Sequence, residues 1–429
     1  MTHLLLSSVA LVPLASVADT YMTPVMPAQA VVFSKGALVT SRAVLDMASG
    51  THDVVFVMPE GVFEGIIVPR ISVAGAEVAG IYASRDHSQD PRSFYTEGQQ
   101  DVIDQLRATK AQVQTLERSV ADLDAQIAAI DQQIAYLSAI WPKDTQTLAE
   151  LQEMADFVPT ALVQAGVERE SILVDKSALL DDLEQARSDV ERMELLVESA
   201  GIPDETWVQI TVHLTVSGDA PVTVTTHGYT SDAGWDMTYR AYLDENAQKI
   251  DLQRDALIHQ NSGQAWDDVL LTLSSARPYQ DVLPNLPRRD EVDLIKPYKG
   301  TSRESAPLVL GEVAVRDEVV LTSGLGNAPG RFDGVAVDFI LPETFDLPNS
   351  YEVELIAPLE SLSIPVQVDR FANARRDEFA FVRAQFDNET GQPILPGQAS
   401  FYWNDTLVGQ DNIDLIPTQA NGQLFFGPD

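Results

Sequence analysis

Hydrophobic residues recur in alternating steps of three and four along residues 106–137. Thr109 is the one polar residue in this repeat. This heptad repeat is typical of a helix in a left-handed coiled coil. Trp141 and Pro142 are expected to end the helix, because proline has no N–H to donate and restricts the residue before it. The apolar places are Leu106, Val113, Leu116, Val120, Leu123, Ile127, Ile130, Ile134 and Leu137.

A second stretch, residues 172–197, repeats these steps. It stops near Gly201 and Pro203, which form a helix-end signal. Lys176 is a charged residue in this second seam, and we expect its long side chain to extend towards solvent. Together the two stretches predict an antiparallel coiled-coil helical hairpin over residues 97–203. The places of the second seam are Ile172, Lys176, Leu179, Leu183, Ala186, Val190, Met193 and Val197.

Between the two legs the sequence predicts a separate helical tip. Thr145 is placed to cap a short helix, and Pro159 either ends that helix or begins another piece that Gly166 closes. Pro159, Leu162 and Gly166 are therefore the candidate interaction residues of the tip. The simpler interpretation of the hairpin is a rigid spacer. The apolar side of the short helix consists of Leu148, Leu151 and Ala155.

Sequence typical of β-strands lies on both sides of the hairpin. Residues 19–96 contain short apolar runs separated by turns, among them a strand from Val62 to Val68, and predict a small N-terminal β-domain. Residues 204–429 predict a C-terminal β-sandwich-type region with a Pro-rich linker near residues 278–307. The predicted fold class is α+β, with antiparallel β-domains and the long coiled-coil hairpin inserted between them.

The first 18 residues have the pattern of a signal peptide. Leu4 to Ala15 form an apolar run of suitable length, and residues 16–18 are small enough for cleavage before Asp19. The sequence contains no other apolar stretch long enough for a transmembrane helix. We therefore expect an exported protein with no integral membrane segment after cleavage.

Acidic residues outnumber basic ones, 64 against 28, which gives a formal net charge of -36. Such a surface repels nucleic acid and anionic lipid headgroups, so neither is an expected partner. The chain has no cysteine, which excludes disulfides and thiolate chemistry. A basic cluster in the predicted linker either docks an acidic partner or is a solvated loop; it contains Arg288, Arg289, Lys296, Lys299 and Arg303.

The sequence offers no catalytic or metal site. No histidine pair has the spacing of a zinc-binding helix, and His213 and His227 are expected on adjacent strands as a polar pair. Asp267 and Asp268 are expected on opposite faces of a strand, where they cannot flank one glycosidic bond. A glycine-rich run at residues 324–330 precedes a predicted strand, whereas a dinucleotide loop needs a helix there. We expect no cofactor, no metal and no enzymatic activity.

Four aromatic residues after the hairpin are candidates for a platform that stacks against sugar rings. On a strand, Trp235 and Tyr239 have the same parity as Met237, which favours packing in the core. A glycan ligand stays open as an alternative. The four residues are Trp235, Tyr239, Tyr242 and Trp266.

The chain resembles the mucoidy inhibitor A family of bacterial envelope proteins, a largely uncharacterised group. Residues 33–42 and 49–56 are similar to the family's N-terminal β-domain, and the heptad hairpin follows at the family's position. Residues 229–239 and 261–278 are similar to the signature of its C-terminal domain. Trp235, Tyr239 and Trp266 belong to that signature, and the resemblance carries no catalytic residue.

The resemblance implies a location in the periplasm or cell envelope of a Gram-negative bacterium and an effect on exopolysaccharide production. Members of the family continue with further strands after the segment similar to residues 425–429, so we expect a form without the last β-domain. The leading hypothesis is a non-enzymatic interaction or scaffold protein that binds a protein partner, or itself, through the hairpin. The alternatives are a carbohydrate-binding or glycan-processing protein and a periplasmic adaptor of a transport system.

Overall fold

The computed structural model describes residues 19–64, 69–85, 90–140, 147–203, 206–218, 221–278, 318–321, 328–373, 375 and 378–429. The chain divides into two compact units. Tyr95–Ile202 form a helical unit, and the chain up to Phe94 forms a β-sheet unit together with Pro203–Asp429. The predicted α+β class is confirmed.

The first strands of the β-sheet unit are β1 (Asp19–Met22), β2 (Met26–Phe33), β3 (Ala37–Leu45), β4 (Gly50–Met58), β5 (Arg70–Ala74) and β6 (Glu77–Ser84). A single helical turn, α1 (Gly61–Glu64), lies between β4 and β5. The strand predicted from Val62 to Val68 is therefore wrong at its start, and residues 65–68 lie outside the described part. The helical turn packs the Val62 side chain against Gly228, where any larger residue would clash.

The strands that follow the hairpin include long, regular ones, as the alternation of Val208 to Val216 predicted. They are β7 (Val208–Val216), β8 (Val222–Thr230), β9 (Ala233–Asp244), β10 (Lys249–Gln260), β11 (Trp266–Ser274), β12 (Glu318–Leu321), β13 (Gly330–Phe332), β14 (Val337–Leu347), β15 (Ser350–Pro365), β16 (Gln367–Phe371), β17 (Phe381–Asp387), β18 (Gly397–Trp403), β19 (Thr406–Ile413) and β20 (Asn421–Pro428). The signal peptide predicted over residues 1–18, and the predicted linker from residue 279 onward, lie outside the described residues.

Within the described residues the strands form four sheets. Their orders are β1-β4-β7-β6, β12-β15-β10-β9-β18-β19, β13-β14-β11-β2-β3-β8-β5 and β16-β17-β20. Most neighbouring strands are antiparallel, as predicted. Four pairs are parallel, namely β1 with β4, β2 with β11, β9 with β18 and β12 with β15.

Strands from before and after the hairpin share two of these sheets. Val54 of β4 lies opposite Val212 of β7, and Val32 of β2 lies beside Leu273 of β11. Residues 19–96 therefore do not form a sheet of their own, in contrast to the small N-terminal domain expected from the sequence. The reason is that β2, β3 and β4 each hydrogen-bond to a strand that comes after the hairpin.

The seven-stranded sheet contributes to both large hydrophobic clusters of this unit. One cluster joins it to the six-stranded and three-stranded sheets around Trp235, Trp266 and Phe339. The other joins it to the four-stranded sheet around Phe56 and Ile210. Because burial of apolar surface is the main favourable term in folding, this sheet holds the unit together.

The helical unit consists of α2 (Glu97–Ser138) and α3 (Leu148–Ser199), which pack against each other along their length. With 42 and 52 residues, they are about 63 and 78 Å long. Each begins with a capping box, in which Thr96 pairs with Gln99 and Thr147 with Glu150. In the part of the chain that the structure describes, no helix is long and apolar enough to cross a membrane.

The separate helical tip is not observed, because α3 is continuous from Leu148 onward. Thr147 caps it, whereas the predicted cap, Thr145, lies outside the described residues. Pro159 and Gly166, which were expected to divide the tip, both lie inside α3. The apolar repeat explains this result, since Leu151, Val158, Leu162 and Ala165 extend the α3 seam through these positions.

Candidate functional site

The predicted heptad places are the ones at which the two helices contact each other. Every apolar place of the two seams is buried or half-buried, whereas most residues between them are exposed. The most buried seam residues are Ile130 and Leu137 of α2 and Leu183 and Ala186 of α3. The burial pattern confirms the antiparallel hairpin.

Four ion pairs connect the two helices and define which of their residues lie level. The Nζ atom of Lys176 lies 2.5 Å from Asp124, and the Nε atom of Arg169 lies 2.6 Å from Asp131. Arg187 pairs with Glu117 and Lys110 with Glu194, both at 2.7 Å. Each exposed pair contributes at most about 1 kcal/mol, so the pairs specify the register more than the stability. Residues 124–131 of α2 lie beside residues 169–176 of α3.

The outer side of α3 carries a second row of residues at alternating steps of three and four. All seven members are exposed and uncharged. Val167 and Val174 expose 67% and 63% of their surface, and Phe157 exposes 62%. We call this row the outer stripe; it consists of Phe157, Thr160, Gln164, Val167, Ser171, Val174 and Ala178. Because the apolar face of a helix normally points to its core, valines and a phenylalanine on the opposite side are unusual.

The outer side of α2 is also uncharged at the same level. Ala125, Ala129, Gln132 and Tyr136 follow one another at steps of three and four, and all four are exposed. Asp131 is the one charged residue between Ala125 and Ser138, and its carboxylate is paired with Arg169. In a chain of net charge -36, this end of the hairpin therefore presents a surface with few charges on α2 and the uncharged outer stripe on α3.

The candidate tip residues have different positions from those expected. Leu162 is half-buried in the seam, so its side chain serves the contact between the helices. Gly166 is exposed, and nothing lies within 4 Å of the place where a Cβ would be. Pro159 lies between Phe157 and Thr160 of the outer stripe, and the Thr160 hydroxyl donates a hydrogen bond to the Asp156 carbonyl at 2.8 Å. The outer stripe was not predicted from the sequence, although the sequence contains its spacing and its lack of charge.

The signature aromatics of the β-sheet unit are buried. Trp235 donates from Nε1 to the Ser274 carbonyl at 3.1 Å, and Tyr239 donates its hydroxyl to the Leu395 carbonyl at 2.7 Å. Trp266 is fully buried and donates to the Ser262 hydroxyl at 3.1 Å. Burial raises the pKa of Tyr239 above its ordinary value. These three rings pack in the core, so they cannot form the sugar-stacking platform considered above.

Tyr242, the fourth candidate, is half-buried and stacks on Tyr402 with ring centroids 4.6 Å apart. The two tyrosines lie opposite each other on the parallel strands β9 and β18. In this stacked pair, each tyrosine ring covers one face of the other ring. It is a cross-strand contact of the kind that stabilises a sheet.

The two histidines expected on adjacent strands lie in different sheets. His213 in β7 hydrogen-bonds through Nδ1 to Asp53 of β4, and Tyr82 packs against its ring. His227 in β8 pairs through Nδ1 with the Thr40 hydroxyl at 3.0 Å. The expectation is wrong because β7 joins the four-stranded sheet, whereas β8 joins the seven-stranded one.

The carboxylates Asp267 and Asp268 are both exposed rather than on opposite faces. A bulge in β11 causes this, with Asp268 at a φ of 56° and its N–H bonded to Asp346 at 2.8 Å. Partial burial, together with the charge of Asp346, raises the pKa of Asp267. The Asp268 carboxylate accepts a hydrogen bond from Thr344 at 2.5 Å. Across the described ranges, no group of three or more histidine, aspartate or glutamate side chains is arranged to hold a metal ion.

Arg254 is the most deeply buried charged side chain of β10. Its Nε donates to the Glu360 carbonyl at 2.6 Å and its Nη1 to the Gln392 amide oxygen at 3.2 Å. The guanidinium also lies 5.3 Å from the centre of the Phe339 ring. Burial lowers the pKa of Arg254. These contacts tie strand β15 and the loop between β17 and β18 to the core.

A cleft of about 640 Å³ with a mainly apolar lining lies beside the buried Trp235. Its lining contains three prolines, Pro393, Pro396 and Pro417, and the charged residues Asp236 and Arg277. A larger polar groove of about 670 Å³ follows the three-stranded sheet. Neither lining contains a histidine that could act as a general base beside a serine.

The fold and these contacts define an α+β protein in which a layered β-sheet unit carries a long antiparallel helical hairpin. Residues 205–412 match the family model of a domain of unknown function, DUF4139. The match covers the strands from β7 to β18 and nearly all of β19, and it contains Trp235, Tyr239 and Trp266. No curated protein and no solved structure matches the chain. The match is to an uncharacterised domain family, and it does not extend to the hairpin.

Proposed function

We propose that this chain is a non-enzymatic interaction protein that binds another protein through its helical hairpin. The outer stripe of α3 carries the proposal. A rigid spacer needs no apolar groups on its outer side, yet Val167, Val174 and Phe157 are each more than 60% exposed there. Exposed apolar rows of this kind are typical of surfaces that contact a partner.

The proposed location is the periplasm or cell envelope of a Gram-negative bacterium. The signal-peptide pattern of residues 1–18 and the resemblance to the mucoidy inhibitor A family support this location. The same resemblance supports an effect on exopolysaccharide production, exerted through binding rather than catalysis. Fractionation of cells that express the full chain tests the location, since recovery only with cytoplasmic markers would contradict it.

Photo-crosslinking in living cells tests the interaction. A photoreactive residue replaces Val167 in one strain and Leu195 in another. Leu195 is a matched control, because it lies four heptads from Val167 on the same side of α3 and is 62% exposed. We expect a discrete crosslinked product from position 167, which Val174→Glu in the same chain abolishes. Equal products from both positions, or none from position 167, would reject the proposal.

A further inference from the structure

Four carboxylates line the two sides of the outer stripe. Glu168 and Asp175 are seven residues apart and lie on one side of it, whereas Asp156 and Glu170 lie on the other. All four residues are exposed. Among the ion pairs of the described residues, none involves any of these four carboxylates.

The basic residues of the hairpin are mostly engaged elsewhere. Lys110, Arg169, Lys176 and Arg187 pair across the seam, and Arg107 and Arg192 pair within their own helices. None of these basic residues pairs with the carboxylates that flank the outer stripe, so those carboxylates face solvent. An uncharged row with exposed apolar residues between two acidic edges is complementary to an apolar row between two basic edges.

We propose that the outer stripe binds an amphipathic helix whose apolar face is flanked by lysine or arginine. The stripe has the spacing of a coiled-coil seam, so a partner helix can insert its own apolar residues between Val167, Ser171 and Val174. Its basic residues then lie beside Glu168, Glu170 and Asp175, as residues that flank a coiled-coil seam do. This inference rests on the proposed function and adds the chemistry of the partner.

A second copy of this chain is a poorer occupant. Each copy has a net charge of -36, and antiparallel packing of two outer stripes places Glu168 and Asp175 of one copy beside the same residues of the other. A basic helix removes that repulsion and gains attraction. Charge complementarity therefore selects the basic helix.

Binding of a designed peptide to the purified full chain tests the inference. The probe is a helical peptide with leucine at its seam positions and lysine at the flanking positions, and a second peptide has glutamate at those flanking positions. Fluorescence anisotropy is measured with each peptide at physiological salt. We expect the lysine peptide to bind and the glutamate peptide to fail.

Two sets of variants separate specific docking from general attraction to an acidic protein. The first set replaces the flanking charges (Glu168→Gln, Glu170→Gln, Asp175→Asn), and the second removes the same charge further along α3 (Asp181→Asn, Asp182→Asn, Glu184→Gln). We expect the first set to weaken binding about tenfold or more and the second to change it little. Val167→Ser with Val174→Ser should also weaken binding about tenfold, whereas Leu195→Ser should not.

Failure of this inference and failure of the proposed function give different results. Equal weakening by both charge sets, binding of the glutamate peptide, or no binding by the intact chain would overturn the basic-helix inference. A dimer in sedimentation velocity that Val167→Ser with Val174→Ser dissociates would identify a second copy as the occupant and also overturn it. Crosslinking from position 167 would still support the proposed function in these cases. Circular dichroism at 222 nm verifies that each variant keeps its helices.

Discussion

The ammonium group of Lys176 lies 2.5 Å from the carboxylate of Asp124, so a charged residue inside the α3 seam finds its partner on α2. The Lys176 side chain is only 25% exposed, and its aliphatic part occupies the place that an apolar residue takes elsewhere in the seam. The pair helps to define the register of the hairpin. The charge of Lys176 therefore specifies which residues of the two helices pair, more than it stabilises the hairpin.

We expect Lys176→Leu to stabilise the hairpin. The change removes a partly desolvated charge from the seam and adds apolar contact, which should raise the free energy of unfolding by about 1 kcal/mol. Thermal unfolding followed at 222 nm measures it. In the Lys176→Leu background, Asp124→Ala should have little further effect, whereas an equal loss in both backgrounds would show that the ion pair does not act as described.

Gly166→Ala should also stabilise α3. Gly166 lies inside the helix, and nothing lies within 4 Å of its missing Cβ, so alanine adds helix propensity without a clash. The expected gain is about 0.5–1 kcal/mol in the free energy of unfolding. Gly98→Ala, which is equally unhindered but lies in the first turn of α2, is the control and should give a smaller gain. A loss of stability at position 166 would contradict a continuous helix there.

Trp266→Ala should destabilise the β-sheet unit strongly. Trp266 is fully buried and its Nε1 donates to Ser262, so alanine leaves a cavity and removes a hydrogen bond. The expected loss is about 3–5 kcal/mol, measured by urea unfolding. If Trp266 instead served as an exposed glycan platform, the variant would keep its stability and lose only ligand binding.

The stability contributed by Asp255 should depend on pH. Burial raises the pKa of Asp255, although the Arg240 guanidinium at 2.8 Å opposes this. Because the folded pKa is higher than the unfolded one, stability is complete below the unfolded value and decreases as pH rises through the folded value. Asp255→Asn should therefore be more stable than the native chain at neutral pH, and the difference should shrink near pH 3.8. A difference that grows towards low pH would show the opposite shift.

The regular parts of the fold could be predicted from the sequence because a single interaction determines each one. The heptad places of Leu106 to Leu137 are the places that contact α3, and the alternation of Val208 to Val216 matches strand β7. Single proline and glycine residues were less informative as signals for the ends of helices. Pro159 and Gly166 suggested a break in α3, but the seam residues on both sides of them keep the helix continuous.

The pairing of strands that are far apart in the chain could not be predicted from the sequence, for a different reason. Strand β2 pairs with β11, some 240 residues later, and neither strand carries a local signal for its partner. The expectation for Asp267 and Asp268 failed because a bulge, which depends on pairing with β14, turns both side chains outward. The outer stripe was not predicted because the apolar places of the seam dominate the pattern, and the second row of uncharged residues lies between them in the sequence.

The most direct test of the account is the accessibility of the outer stripe in the cell. The chain has no cysteine, so Val167→Cys and Leu195→Cys each introduce one thiol. Maleimide labelling is compared between intact cells and purified protein. If the outer stripe binds another protein, position 167 should label more slowly in cells than in the purified chain, whereas position 195 should label at similar rates in both. Equal rates in cells and in purified protein at position 167 would contradict the central claim.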